Sequence, residues 1–207
     1  MKYYVRTTGE RQFNYDINYE TLVDTEHKPI KSFINQLKYI SSDDSILLED
    51  DLILCKNFKK RIEEIVTKYP NSVINFYESP HDFYFTEERR GIKYRFNQCT
   101  YYPKGVSKLI ADKMEEIWPR YKNIKQYDFL QAFAMDELGM SYISYRPCLV
   151  QHLNGRSIIG NSDNVSTLFF IDYIDELGID YKDVIQFKNN INLQKIKTKY
   201  LPYKKQF

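Results

Sequence analysis

The stretch Ser45-Ile46-Leu47-Leu48-Glu49-Asp50-Asp51-Leu52-Ile53-Leu54 runs three aliphatic residues into three carboxylates and out into three more aliphatics. The first run is short, β-prone and apolar on both sides, the pattern of a buried central strand. Three adjoining carboxylates at the end of such a strand repel one another. Desolvating each costs several kcal/mol unless it is paired or metal-bound. A hard divalent cation, Mn2+ or Mg2+, offsets that cost through oxygen ligands. Ligands of open α/β sheets collect at the carboxyl ends of the strands, so Glu49-Asp50-Asp51 reads as a metal-phosphate site at a strand end. An acidic loop capping a helix that starts near Lys56 is the other reading.

A chain of 207 residues that is 43% hydrophobic builds one domain with a core, or one domain with a small appendage. The formal net charge of +2 gives no global electrostatic argument for nucleic acid. The 19 Tyr and 13 Phe supply side chains suited to clefts that bind sugars or bases. Cys55, Cys99 and Cys148 are far apart and odd in number. They indicate neither a zinc ribbon nor a disulfide scaffold, and reduced, partly buried thiols in a cytoplasmic protein are the simplest expectation. The N-terminus lacks the apolar run of a signal peptide, and no window approaches the roughly 18 apolar residues of a membrane span.

Taken in order, residues 2–6 predict a first strand, and Thr7-Thr8-Gly9-Glu10-Arg11 the loop that leaves it, a place to hold a nucleotide. Arg6 and Arg11 are candidates to reach a diphosphate, or else are surface arginines. Residues 21–24 predict a second short strand whose closing Asp24 contacts a ribose or base, or simply makes a turn. Apolar residues at 30, 33, 34, 37 and 40 predict an amphipathic helix opened by Pro29, and 57–68 a second helix. Residues 73–77 predict the next strand, so the alternation argues for a parallel α/β sheet. Residues 78–91, with His81 as a loop histidine, read as a solvated hairpin tip or flexible loop. A strand over 95–102, helices over 106–117 and 127–135, a strand over 141–145 and an extended segment over 147–152 follow. Asp128 fits an acid in a first helical turn. The end of the chain carries Lys188, Lys195, Lys197, Lys199, Lys204 and Lys205, either a solvated tail or one that meets phosphate backbones or anionic lipid.

Two segments together carry a resemblance. Leu47-Leu48-Glu49-Asp50-Asp51-Leu52 resembles the acidic metal motif of glycosyltransferases with the A-type fold, and Arg146-Pro147-Cys148-Leu149-Val150-Gln151-His152-Leu153-Asn154-Gly155-Arg156-Ser157 is similar to a later segment of several such families. In this chain Cys148 stands where a small hydroxyl residue is usual, and Asn154 intrudes before Gly155. The resemblance covers residues 2–156. It implies a single Rossmann-like domain with a mostly parallel sheet flanked by helices. Residues 1–160 would hold the nucleotide sugar and acceptor, and 161–207 would be a C-terminal extension packed on the same domain.

It further implies Mn2+ or Mg2+ held by Glu49, Asp51 and His152. Arg6, Thr7, Thr8, Arg11, Asp24, Asp50 and Arg156 would bind the nucleotide diphosphate of the sugar donor. Asp128 would take the acceptor proton in an inverting transfer, or position the acceptor in a retaining one. The acceptor expected is a hydroxymethylated DNA base, by resemblance to phage enzymes acting in the bacterial cytoplasm, with a bacterial surface glycan as the competitor. A non-catalytic nucleotide-binding module, and a nuclease or phosphatase using the same acids, are the readings from other classes.

Overall fold

Period-two alternation along the strands divides the molecule into layers. The computed structural model describes residues 1–77, 86–146 and 148–152, with Ile53, Gln151 and His152 described by their backbone alone. The described strands are β1 (Lys2–Thr7), β2 (Glu20–Val23), β3 (Ser45–Glu49), β4 (Leu52–Leu54), β5 (Val73–Asn75), β6 (Glu87–Arg90), β7 (Cys99–Tyr102), β8 (Ser141–Ser144) and β9 (Val150–His152). Four helices join them: α1 (Pro29–Tyr39), α2 (Phe58–Lys68), α3 (Val106–Ile117) and α4 (Tyr127–Glu137).

Seven strands form one mixed sheet in the order β2-β1-β3-β7-β5-β8-β6. β1, β2, β3, β5 and β8 run parallel to one another, and β7 and β6 run against them. The chain is therefore an α/β protein with a mostly parallel sheet. Tyr3, Val5, Ile46, Leu48, Cys99 and Tyr101 face one core cluster, which α2 covers with Phe58, Ile62 and Ile65. Tyr4, Leu47 and Tyr102 face the opposite cluster, built by α1, α3 and α4. Because side chains alternate, Arg6 lies on the α1/α4 side with Tyr4, and Glu49 lies there with Leu47. Arg6 and Glu49 are also paired across β1 and β3. The sheet thus brings an arginine and a carboxylate together at its carboxyl edge.

A second, two-stranded sheet pairs β4 with β9, and its register sets Leu52 opposite His152. Two segments about a hundred residues apart in sequence meet there. Among the described residues no helix is long and apolar enough to cross a membrane.

Two expectations need correction. Residues 87–90 are strand β6, not part of a solvated tip: the backbone pairs antiparallel with β8 at the sheet edge, and Arg89 is buried. A strand made wholly of charged residues suits a sheet edge, which they guard against further pairing. The strand expected over 95–102 begins only at Cys99, because Phe96 takes a left-handed backbone (φ 65°) that no strand accommodates. Residues 78–85 with His81, and 153–207 with Arg156 and the basic tail, lie outside the described residues.

Gly91 follows β6 and packs against α4. A Cβ there would meet Met135 Cβ at 2.5 Å and the Met135 carbonyl carbon at 2.7 Å. The Gly91 N–H donates to the Met140 carbonyl at 2.8 Å, which holds the segment in place. Gly91→Ala should cost about 1–3 kcal/mol, the scale of core overpacking, seen as a lower urea midpoint with an unchanged slope.

Candidate functional site

The carboxyl ends of β1, β2 and β3 converge on one polar cluster. Arg6 is buried, with its guanidinium 4.1 Å from the ring centre of Tyr127 and 5.0 Å from that of Phe33. Its Nη1 lies 3.8 Å from Glu49 Oε1. The Tyr127 hydroxyl donates to the same carboxylate oxygen. Burial works against the charge on Arg6, but Tyr127, Glu49 and Asp24 outweigh it and hold the guanidinium above its ordinary pKa. Burial likewise drives the Tyr127 phenol well above its usual value, against the pull of Arg6, so it remains a donor to Glu49.

Beyond β3 the chain bends through the two aspartates, which meet Thr7 and Arg11. Asp50 and Asp51 are buried, 8% and 7% exposed. Arg11 Nη1 lies 3.2 Å from Asp50 Oδ1 and pairs also with Asp51 Oδ2. The Thr7 hydroxyl donates to Asp50 Oδ2. The Gly9 N–H donates to Thr7 Oγ1 at 2.9 Å. Gly9 itself is at φ 82°, a conformation glycine adopts without the Cβ penalty and one that turns the loop back toward the strand ends. Asp24 is buried just beyond β2, where its N–H donates to the Thr7 carbonyl.

The acidic turn is held by a residue the sequence did not mark. The Tyr15 hydroxyl donates to the Glu49 carbonyl at 2.7 Å and accepts the Leu52 N–H at 3.0 Å. One phenol thereby satisfies backbone groups on both sides of Asp50-Asp51. Burial raises its pKa, opposed by the bond from Leu52, so it stays protonated. Asn57 precedes α2 in a left-handed conformation, and its side chain makes no cap hydrogen bond.

Asp128 lies in the first turn of α4, next to Tyr127. Its Oδ1 accepts the Phe129 N–H at 3.0 Å. The position of α4 is fixed by a buried polar network below it: Asn97 Nδ2 donates to Gln131 Oε1 at 2.9 Å, and Gln131 Nε2 donates to the Tyr102 hydroxyl at 3.1 Å. Burial raises the Asp128 carboxyl above its ordinary pKa, against the N–H groups of Phe129 and Phe96 and the charge of Arg6.

The structure therefore brings Arg6, Thr7, Arg11, Asp24, Glu49, Asp50 and Asp51 to one sheet end, and sets Asp128 beside them through Tyr127. Thr8 is half-buried in the same loop. Glu49 and Asp51 have different partners: Glu49 faces Arg6 and Tyr127, and Asp51 faces Arg11. His152 reaches the site by its backbone, opposite Leu52 and so one residue from Asp51 along β4. Among the described residues, no three His, Cys, Asp or Glu side chains are gathered as a metal site. Asp50 and Asp51 are the pair whose oxygens converge on one positive group. Tyr127 and Tyr15 were missed by sequence reasoning. Tyr127 had a signal in its adjacency to Asp128, whereas Tyr15 had only the aromatic run Phe13, Tyr15, Tyr19 in a loop. In comparisons with known proteins, no family model matches the chain and no curated protein matches it.

The raised pKa of Asp128 has a sign. Its folded carboxyl holds the proton more tightly than the unfolded one. Its contribution therefore favours folding at low pH and is lost as pH rises through the folded value. Asp128→Asn should then stabilise the fold at neutral pH, and the gain should vanish below about pH 3.9, the ordinary aspartate value. Urea midpoints at the two pH values measure this.

Proposed function

We propose that the protein is a metal-dependent glycosyltransferase of the A-type fold, moving a sugar from a nucleotide-diphosphate donor to an acceptor hydroxyl. The observation that carries this reading is the cluster at the carboxyl edge of β1, β2 and β3: three consecutive acids, two arginines and, through the β4–β9 register, the backbone of His152. Such an edge is where α/β sheets hold ligands.

The donor set fits a hard divalent cation. Asp50 and Asp51 direct carboxylate oxygens at a single positive charge, now that of Arg11, and oxygen ligands are those Mn2+ and Mg2+ prefer. Of the ligands the resemblance implies, Asp51 would hold the ion together with Asp50, while Glu49 stays with Arg6 and Tyr127. A bound cation supplies charge neutralisation for the departing diphosphate.

The residues of the chain do the rest. Arg6, lying against the touching rings of Phe33 and Tyr127, keeps a positive charge at the strand ends. Asp24, buried at the end of β2, faces the nucleoside. Asp128, its pKa raised by burial, accepts the acceptor proton as the new C–O bond forms and the bond from anomeric carbon to phosphate oxygen breaks. The hydroxymethylated DNA base is the acceptor we assign, and a surface glycan is its competitor. The pairing of both aspartates with Arg11 favours one second reading, a module that binds nucleotide without turnover.

Incubation of the protein with Mn2+, a panel of nucleotide sugars and either hydroxymethylated DNA or a surface-glycan acceptor tests the proposal. Sugar should appear on the DNA. Asp51→Asn should lower transfer by at least about a hundredfold, the scale expected for a lost group that stabilises transition-state charge, while the circular dichroism spectrum is unchanged. Transfer to the glycan alone would move the acceptor. Nucleotide binding with no transfer to any acceptor would favour the binding module.

A further inference from the structure

The two outer strands of the seven-stranded sheet are made differently. β6 is charged at every position, which guards its edge. β2, at the opposite edge, reads Glu-Thr-Leu-Val and carries a single charge. Among the described residues β2 pairs with β1 alone. The Asp24 N–H donates to the Thr7 carbonyl, so the even-numbered residues of β2 turn their backbone groups toward β1. Thr21 and Val23 therefore turn theirs outward. Both are exposed, Val23 by 50%. A groove of about 380 Å³ runs between β2 and α1, with Thr21, Val23, Asn35 and Tyr39 in its lining. A strand added to this edge would lie about 4.8 Å out from β2, along that groove.

We infer that the β2 edge is an interaction surface for a second copy of this chain, which adds its own β2 antiparallel across a two-fold axis at Thr21. A two-fold contact must be self-complementary, and this edge is. Residues directly opposite in an antiparallel pair share a face. With Thr21 on the axis, the two Thr21 residues exchange both backbone hydrogen bonds. Val23 of each copy then stands opposite Tyr19 of the other, a β-branched residue against an aromatic one, and Leu22 stands opposite Glu20. With Leu22 on the axis instead, Glu20 would oppose Asp24, two like charges, so the Thr21 register is favoured. Charge orders the copies in the same sense. Beyond the end of β2, Lys28 and Lys31 share the one carboxylate of Glu26, at 3.0 and 3.3 Å, which leaves a positive excess there. At the start of β2, Glu20 accepts the Tyr39 hydroxyl and has no ion pair among the described residues. Antiparallel pairing brings the positive end of one copy toward the acidic start of the other.

Sedimentation velocity of the full chain tests this. The sedimentation coefficient should rise from that of a monomer to that of a dimer between about 1 and 100 μM, the range of a small interface. Thr21→Lys sets two lysines against each other on the axis, and Thr21→Glu two carboxylates. Each variant alone should dimerise at least about fivefold more weakly than the wild type, with an unchanged circular dichroism spectrum. Mixed together, the two should pair with each other. Val23→Lys, which charges the same edge away from the axis, carries the test if the Thr21 variants do not fold. A monomer at every concentration would overturn the proposal. A dimer that the variants leave intact would put the contact elsewhere and overturn it as well. Thr21 variants that are monomeric alone and remain so when mixed would overturn the two-fold pairing at Thr21.

Discussion

The neutralisation of the acidic end of β3 by two arginines from the segment that begins with β1 is the interaction on which the rest of this structure depends. Glu49, Asp50 and Asp51 emerge from a strand whose preceding residues are fully enclosed by helices. Carboxylates in such a place are tolerated only with partners. Parallel pairing of β1 with β3 provides one by register, since Arg6 stands across from Glu49. The loop after β1 provides the other in Arg11. The fold and the charge pairing are therefore one problem: shifting β1 by one residue would turn Arg6 to the α2 side and leave Glu49 facing Tyr127 without it.

Around that pairing the aromatics act as fixed furniture. Tyr127 both stacks on Arg6 and donates to Glu49, so α4 is tied to β1 and β3 at once. Tyr15 closes the backbone of the turn. The network of Asn97, Gln131 and Tyr102 anchors α4 from below and so sets where Asp128 stands. Each phenol is kept protonated by its burial, which suits donors rather than acids. Of the two arginines, Arg6 is the more enclosed, with 10% side-chain exposure against 27% for Arg11.

Much of this was legible in the sequence because local pattern and tertiary environment agree. The apolar run 46–48 could only be an enclosed strand, and β3 is one. The apolar positions 30, 33, 34, 37 and 40 match the buried face at and just beyond α1. The acids and arginines of the candidate site were visible as residue types that burial would penalise. Other features depended on contacts that no local pattern encodes. The charged run 87–90 reads as solvent-facing, yet it pairs with β8, because an edge strand needs only one neighbour and tolerates charge. β7 starts late because Phe96 bends the backbone, a strain that composition does not announce. Tyr15 was indistinguishable from the many other tyrosines until the turn between Glu49 and Leu52 was seen, and Tyr127 was marked only by its place beside Asp128. The split of Glu49 from Asp51 arises because β3 ends at Glu49 and the chain bends at Asp50 and Asp51, so the alternation that would put them on one face stops there.

The central claim is that the acidic turn receives a divalent cation beside β9. Manganese anomalous scattering from a crystal soaked with uridine diphosphate and Mn2+ tests it most directly. The account predicts a peak at roughly 2.0–2.2 Å from an Asp51 carboxylate oxygen, as for small divalent ions with oxygen ligands, with the diphosphate on its open side. Nucleotide bound at the sheet edge with no manganese at Asp51, or manganese bound elsewhere, would contradict it.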